Sequence, residues 1–109
     1  MKMWRTYETE ISYAHYIKGH PKCGELHGHN AKIKVWVEAI EDFLDFHEIA
    51  DEVKKVLKKY DHKNLGHFTC EDLAKAIYDE LKKVYGIARS IRVEVKETSK
   101  FGVVVEDEI

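Results

Sequence analysis

The chain has 109 residues, 44% of them apolar and 35% charged, with a net charge of −2 at neutral pH. That is apolar material for one packed core, so residues 1–109 are expected to form a single domain. The near-balance of charge gives no electrostatic reason to expect nucleic acid or an anionic membrane as partner. No apolar run approaches a membrane span, and MKMWRTYETEIS lacks the apolar centre of a secretion signal, so a cytoplasmic protein is expected. In that compartment Cys23 and Cys70 are expected to stay reduced.

Residues 3–17 read as a strand, with Ile11, Tyr13 and His15 on one face by the period of two. The turn formers of KGHPKCGEL mark a loop. A second strand runs from about His27 to Ile40, where His27, His29, Ala31, Ile33, Val35 and Val37 share one parity and Lys32, Lys34 and Glu38 take the other. Residues 46–59 form an amphipathic helix, because Phe46, Ile49, Ala50, Val53, Val56 and Leu57 recur at helical spacing. Asp45 stands at its N-cap, with Glu48 three residues on in capping-box order. A second helix over about 70–84 carries the stripe Leu73, Ala74, Ile77, Leu81 and Val84, between the cap Thr69 and the terminator Gly86. Strands over Ile91–Thr98 and Gly102–Glu106 complete a β-β-α-α-β-β order. The expected class is α+β, with two helices on one face of an antiparallel sheet.

His15, His27, His29 and Glu97 all fall on the parity of their strand's apolar residues. Polar groups placed there must find partners or cost several kcal/mol, of the order of 2–7. In His27-Gly28-His29 the two imidazoles point to one side of a strand, and antiparallel pairing can bring His15 alongside. Three neutral imidazoles with one open position are the pattern of a catalytic zinc site. Two plainer readings stand beside it: a satisfied core histidine, and a structural site in which Cys23 is the fourth ligand.

Several segments in sequence order resemble the 6-pyruvoyl-tetrahydropterin synthase family. They are ISYAH (11–15), CGELHGHN (23–30), LDF (44–46), YDHKNL (60–65), FTCEDLAKAI (68–77) and VKET (95–98). The resemblance implies the tunnelling fold, zinc as cofactor, and a homohexamer of two stacked trimers whose sheets join into a barrel, with active sites at subunit boundaries. The three-residue gap between Cys23 and the His-Gly-His segment resembles the bacterial and archaeal 6-carboxytetrahydropterin synthases, part of the route to queuosine and related deazapurines. A lyase acting on 7,8-dihydroneopterin triphosphate is implied, releasing 6-carboxy-5,6,7,8-tetrahydropterin, acetaldehyde and triphosphate. Carried onto this sequence, the resemblance implies that His15, His27 and His29 bind zinc and that Cys23 is the general base. It further implies that Asp61 and His62 form a proton relay with Cys23, that Glu97 anchors the pterin, and that Thr69 adds a pterin contact.

These residue types suit that chemistry. Zinc lowers the pKa of hydroxyls and polarises a developing carbonyl. A thiolate near a cation can take the proton, and a histidine oriented by an aspartate can deliver one. A carboxylate accepts two adjacent N–H donors of a pterin edge in fork geometry. Lys18, His20, Lys22 and Lys100 are the candidate cations for the triphosphate. Each residue also has a plainer reading. Cys23 can be a packed loop thiol, Asp61-His62 a helix exit, and Thr69 only a cap. His20, His47 and His67 read as solvated, and Cys70 as half-buried packing.

Some positions depart from the family pattern. Glu41, Gly66, Phe68 and Ala31 stand where a glycine, an asparagine, a proline and an aromatic are usual. Glu25, between Cys23 and His27, resembles relatives that place a glutamate in this loop and cleave the side chain to 6-hydroxymethyl-7,8-dihydropterin. Formation of 6-pyruvoyl-tetrahydropterin, or a zinc- and pterin-binding oligomer without turnover, are the remaining readings.

Overall fold

The alternation read from residues 3–17 and 27–40 produces two long strands, and their pairing sets the frame of the molecule. The structure is a computed structural model and describes residues 1–108. Strand β1 (Trp4–Tyr16) pairs antiparallel with β2 (His27–Glu38), placing Ile11 opposite Ala31, Tyr13 opposite His29 and His15 opposite His27. Beyond helix α1 (Phe46–Leu57) comes a short strand β3 (Lys63–His67), then helix α2 (Cys70–Tyr85), β4 (Ile91–Lys96) and β5 (Gly102–Glu106). The sheet order is β3-β1-β2-β4-β5.

The expected two helices on one face of the sheet are present, but the sheet is not purely antiparallel as expected. Strand β3 joins the sheet edge parallel to β1, so the sheet is mixed and the order is β-β-α-β-α-β-β. Its sequence, KNLGH, has one large apolar residue and no alternation, so nothing local marks it as a strand.

The buried face is the one the periodicity picked out, except that Phe46 and Val84, read into the two helix stripes, are exposed. Ile11, Ala31, Ile33, Val35 and Val37 meet Ile91, Val93 and Val95 on the sheet. Ile49 and Val53 of α1 and Leu73, Ala74, Ile77 and Leu81 of α2 close over them. Removing this apolar area from water is the main stabilising term. The opposite sheet face carries Trp4, Lys34, Trp36 and Arg92, in which the Arg92 guanidinium lies 5.5 and 5.4 Å from the two indole rings.

Helix starts are fixed by side chains accepting the orphan N–H groups of the first turn. The capping box lies at α2, where the Thr69 hydroxyl accepts from the Asp72 N–H at 3.0 Å and the Asp72 carboxylate accepts from the Thr69 N–H at 3.0 Å. At α1 the Asp45 carboxylate accepts from the His47 N–H at 2.8 Å, and Glu48 contributes only its backbone N–H to the Asp45 carbonyl. The β4 strand ends at Lys96 rather than Thr98, because the Thr98 hydroxyl accepts from the N–H groups of Lys100 and Phe101 and turns the chain. No helix among the described residues is long and apolar enough to cross a membrane.

The register decides what lies at each end. The β1–β2 loop and the β4–β5 turn fall at the end of the sheet that carries His15, His27 and His29. At the far end, buried Arg89 donates to the Glu38 carbonyl and the Asp42 carboxylate and seals the core there.

Candidate metal centre

Parity puts three imidazoles on the helix-covered face, and the register brings them together. The ring centroids of His15, His27 and His29 are 4.5, 4.9 and 5.0 Å apart. One ligand nitrogen from each lies within 4.8 Å of the other two, and Cys23 is not part of this group.

The tautomers follow from the neighbours. His15 Nδ1 faces the Phe68 carbonyl at 2.6 Å, and His27 Nδ1 faces the Glu25 carbonyl at 2.8 Å. A carbonyl only accepts, so Nδ1 carries the proton in both rings and Nε2 keeps its lone pair. This is the arrangement that orients histidine ligands in metal proteins. The Nε2 atoms of His15 and His29 are buried without a hydrogen-bond partner, a costly state that a cation relieves. The donor set therefore fits a zinc ion with three nitrogen ligands.

Burial pushes the His29 pKa below its ordinary value of 6.5, with His15 and His27 adding to the push and Glu97 opposing it. The fold thus prefers this ring neutral, as a ligand must be. The folded chain binds fewer protons here than the unfolded one. Stability of the metal-free chain should therefore fall as pH drops through 6.5. Urea midpoints at about pH 7.5 and about pH 5.5 measure this, and His29→Ala should flatten the difference.

Glu97 closes one side of the cluster. Its Oε1 lies 3.1 Å from His15 Nε2 and 3.7 Å from His29 Nε2, the former outside hydrogen-bond geometry. The Tyr13 hydroxyl donates to the same oxygen at 3.1 Å. Burial, then the Glu97 charge, raises the Tyr13 pKa far above the usual phenol range, so it stays a donor. The Cys70 thiol, buried and facing the Val95 carbonyl, is pushed up to about 12 by burial and then by Glu97. It is more deeply buried than the expected half-buried packing, and it is no nucleophile.

Cys23 sits partly exposed on the β1–β2 loop. The loop is held by two histidines that read as solvated in the sequence. His20 Nδ1 accepts from the N–H groups of Lys22 and Cys23 at 3.1 and 2.9 Å, and His67 Nδ1 accepts from Lys18 N–H at 3.0 Å. Gly24 packs so closely that a Cβ would meet the His20 carbonyl oxygen at 2.6 Å. The Glu25 side chain is exposed on this loop. Lys18, His20 and Lys22 ride on it too, and Lys100 lies in the turn that begins at Glu97.

Asp61 and His62 are anchored to β1. Asp61 Oδ1 accepts from the Ser12 N–H at 2.9 Å and lies 3.0 Å from His62 Nδ1. His62 adopts φ +59°, a left-handed conformation uncommon for a residue with a side chain, and its N–H donates to the Ser12 carbonyl. The pair is thus pinned to β1 at the point where the chain turns into β3. His62 borders a depression that is also lined by Ser12, Tyr13, Ala14, Gly28, His29 and Asn30. Among the described residues, no hydrogen bond or ion pair joins Asp61 or His62 to Cys23 or the three histidines. Thr69 caps α2 immediately after Phe68, so its place next to the cluster is set by the His15 contact. The sequence assigned neither Tyr13 nor His67 to the site, and it offered His20 only as a candidate triphosphate cation rather than as the acceptor that holds the loop. Only Tyr13 carried a signal, its shared parity with His15.

The family model described as 6-pyruvoyl tetrahydropterin synthase matches residues 5–108. The chain belongs to the 6-pyruvoyl tetrahydropterin synthase family. A protein from Archaeoglobus fulgidus provisionally named 6-carboxy-5,6,7,8-tetrahydropterin synthase is 35% identical over 100 residues, covering 82% of this chain and 84% of that one. The dihydroneopterin monophosphate aldolase of Pyrococcus furiosus is 31% identical, covering 97% of this chain and 99% of that one. The structure of the Caenorhabditis elegans 6-pyruvoyl tetrahydropterin synthase superposes with a TM-score of 0.84 at 23% identity, covering 99% and 97% of the two chains. The fold of this family member is accordingly the tunnelling fold.

Proposed function

We propose that this family member is a zinc lyase that converts 7,8-dihydroneopterin triphosphate to 6-carboxy-5,6,7,8-tetrahydropterin, acetaldehyde and triphosphate, a step toward queuosine and related deazapurines. The observation that carries the reading is the trio of His15, His27 and His29, whose free Nε2 atoms converge beside Glu97 while Cys23 stays outside the ligand group. A cysteine not needed to hold metal, on a loop held in place by its own hydrogen bonds, is available for proton transfer. The Archaeoglobus fulgidus relative supports the product assignment.

Bound by the three imidazoles, zinc supplies Lewis acidity to the hydroxylated side chain of the substrate. Glu97 holds the N–H edge of the pterin and so sets which side-chain atom comes near Cys23. The Cys23 thiolate removes a proton. His62, its Nδ1–H turned to Asp61, returns a proton from Nε2 when the ring is doubly protonated. Among the described residues no hydrogen bond or ion pair joins Asp61 or His62 to Cys23, and we read the relay as completed by a second copy in an oligomer, a dimer of trimers in the resemblance. Thr69, whose hydroxyl accepts from Asp72 N–H, keeps its own proton to donate to the pterin.

A second reading is favoured by a specific observation. The aldolase relative spans nearly the whole chain, and Glu25 is exposed on the same loop two residues before His27. In that reading Glu25 is the base and the side chain is cleaved to 6-hydroxymethyl-7,8-dihydropterin. Incubating the zinc-loaded protein separately with dihydroneopterin triphosphate and with dihydroneopterin monophosphate, and identifying the pterin, decides between them. Carboxytetrahydropterin supports the first reading. Hydroxymethyldihydropterin supports the second, and an unchanged substrate leaves a binding protein.

A further inference from the structure

We propose that Tyr13 is a positioning residue that aims the Glu97 carboxylate, holding one of its oxygens on the metal side so that the other faces the ligand. The inference rests on Glu97 being the pterin anchor, as proposed above, and adds a residue that the family reading left without a role.

Glu97 occupies an unusual place for a carboxylate that must bind a ligand. Its Oε1 lies 3.1 Å from His15 Nε2 and 3.7 Å from His29 Nε2, on rings that would hold a cation. A cation there draws both carboxylate oxygens toward itself, since unit charges a few ångströms apart interact strongly in a partly buried site. A carboxylate that swung fully onto the metal would be lost to the pterin and would fill the open coordination position.

The Tyr13 hydroxyl opposes that swing by donating to Oε1 at 3.1 Å. Its ring is 4% exposed and stands edge-on to His15, 5.3 Å between centroids at 83°, and 5.9 Å from His29. Packed against both of these rings and buried, the phenol is fixed in place and keeps its hydroxyl on Oε1. The backbone leaves Glu97 little freedom either, since its N–H donates to the Phe101 carbonyl at the start of a tight turn. With Oε1 engaged, Oε2 has no hydrogen-bond or ion-pair partner among the described residues. That is the oxygen left to accept from a ligand.

The test is Tyr13→Phe in the zinc-loaded protein, with neopterin as probe and binding followed by fluorescence. Phenylalanine keeps the ring and removes only the hydroxyl. Neopterin should bind about 10-fold more weakly, the size expected for loss of one hydrogen bond to a charged group. Zinc affinity, from chelator competition, should hold or rise. Glu97→Gln should also weaken neopterin, and Tyr13→Phe added to Glu97→Gln should change the affinity by less than about twofold, because the two act as one unit. A ring that only fills space predicts unchanged neopterin affinity in Tyr13→Phe. That result beside a weakened Glu97→Gln overturns this proposal alone. A full 10-fold effect repeated in the Glu97→Gln background also overturns it. A silent Glu97→Gln overturns the anchoring reading together with this one.

Discussion

Replacing His15 with alanine should strip zinc from the protein and also lower the stability of the metal-free chain by about 2–4 kcal/mol. The two effects have separate causes. Zinc is lost because one of three nitrogen ligands disappears. Mutating a mere outer-shell partner already costs up to about 100-fold in affinity, and loss of a ligand should exceed that. Stability is lost because His15 is 1% exposed and its Nδ1–H satisfies the Phe68 carbonyl at the entry to α2. Alanine leaves a cavity and an unpaired carbonyl. His29→Ala should remove zinc to the same degree with little loss of metal-free stability. Its side chain is 18% exposed, and its charged form is already disfavoured by burial. Zinc content by elemental analysis and urea unfolding of the metal-free variants measure the two effects. Full zinc occupancy in His15→Ala would mean that the trio is not the metal site.

The second large effect is expected at Cys23. Cys23→Ser should lower turnover by about 10²- to 10⁴-fold, the range for a lost general acid or base, while zinc remains bound. The geometry separates this from a ligand role, because Cys23 lies outside the group of convergent nitrogens. Serine preserves the size of the side chain and the backbone hydrogen bond from Cys23 N–H to His20, so the loop should keep its shape. Glu25→Gln is the matching control. It should leave carboxytetrahydropterin formation within about threefold, since Glu25 meets His27 only through its backbone carbonyl. Should Cys23→Ser lose zinc, Cys23 is a ligand. Should Glu25→Gln abolish turnover while Cys23→Ser does not, the side-chain-cleavage reading gains and the base is Glu25.

Much of the fold was legible because its signals are local. Period-two alternation placed the pairing residues of β1 and β2, and the 3.6 period placed the buried stripe of α2 from Leu73 to Leu81. The misread details are those in which a distant partner decides. The KNLGH segment is a strand only because β1 offers it a free edge, and the capping box formed at Thr69 and Asp72 rather than at Asp45 and Glu48. His20 and His67, polar and exposed, looked like solvated side chains. Their work as acceptors depends on where the loop folds back.

The sequence by itself determined the class of fold, the family, and the side of the sheet on which His15, His27, His29 and Glu97 lie, since parity along a strand is a property of neighbouring residues. Only the tertiary structure decided that the three rings converge, that the Tyr13 hydroxyl donates to Glu97, and that Asp61 and His62 are anchored to β1 through Ser12. Each of these depends on strand register and on which carbonyl a ring meets, and those are set by contacts between residues up to 84 positions apart.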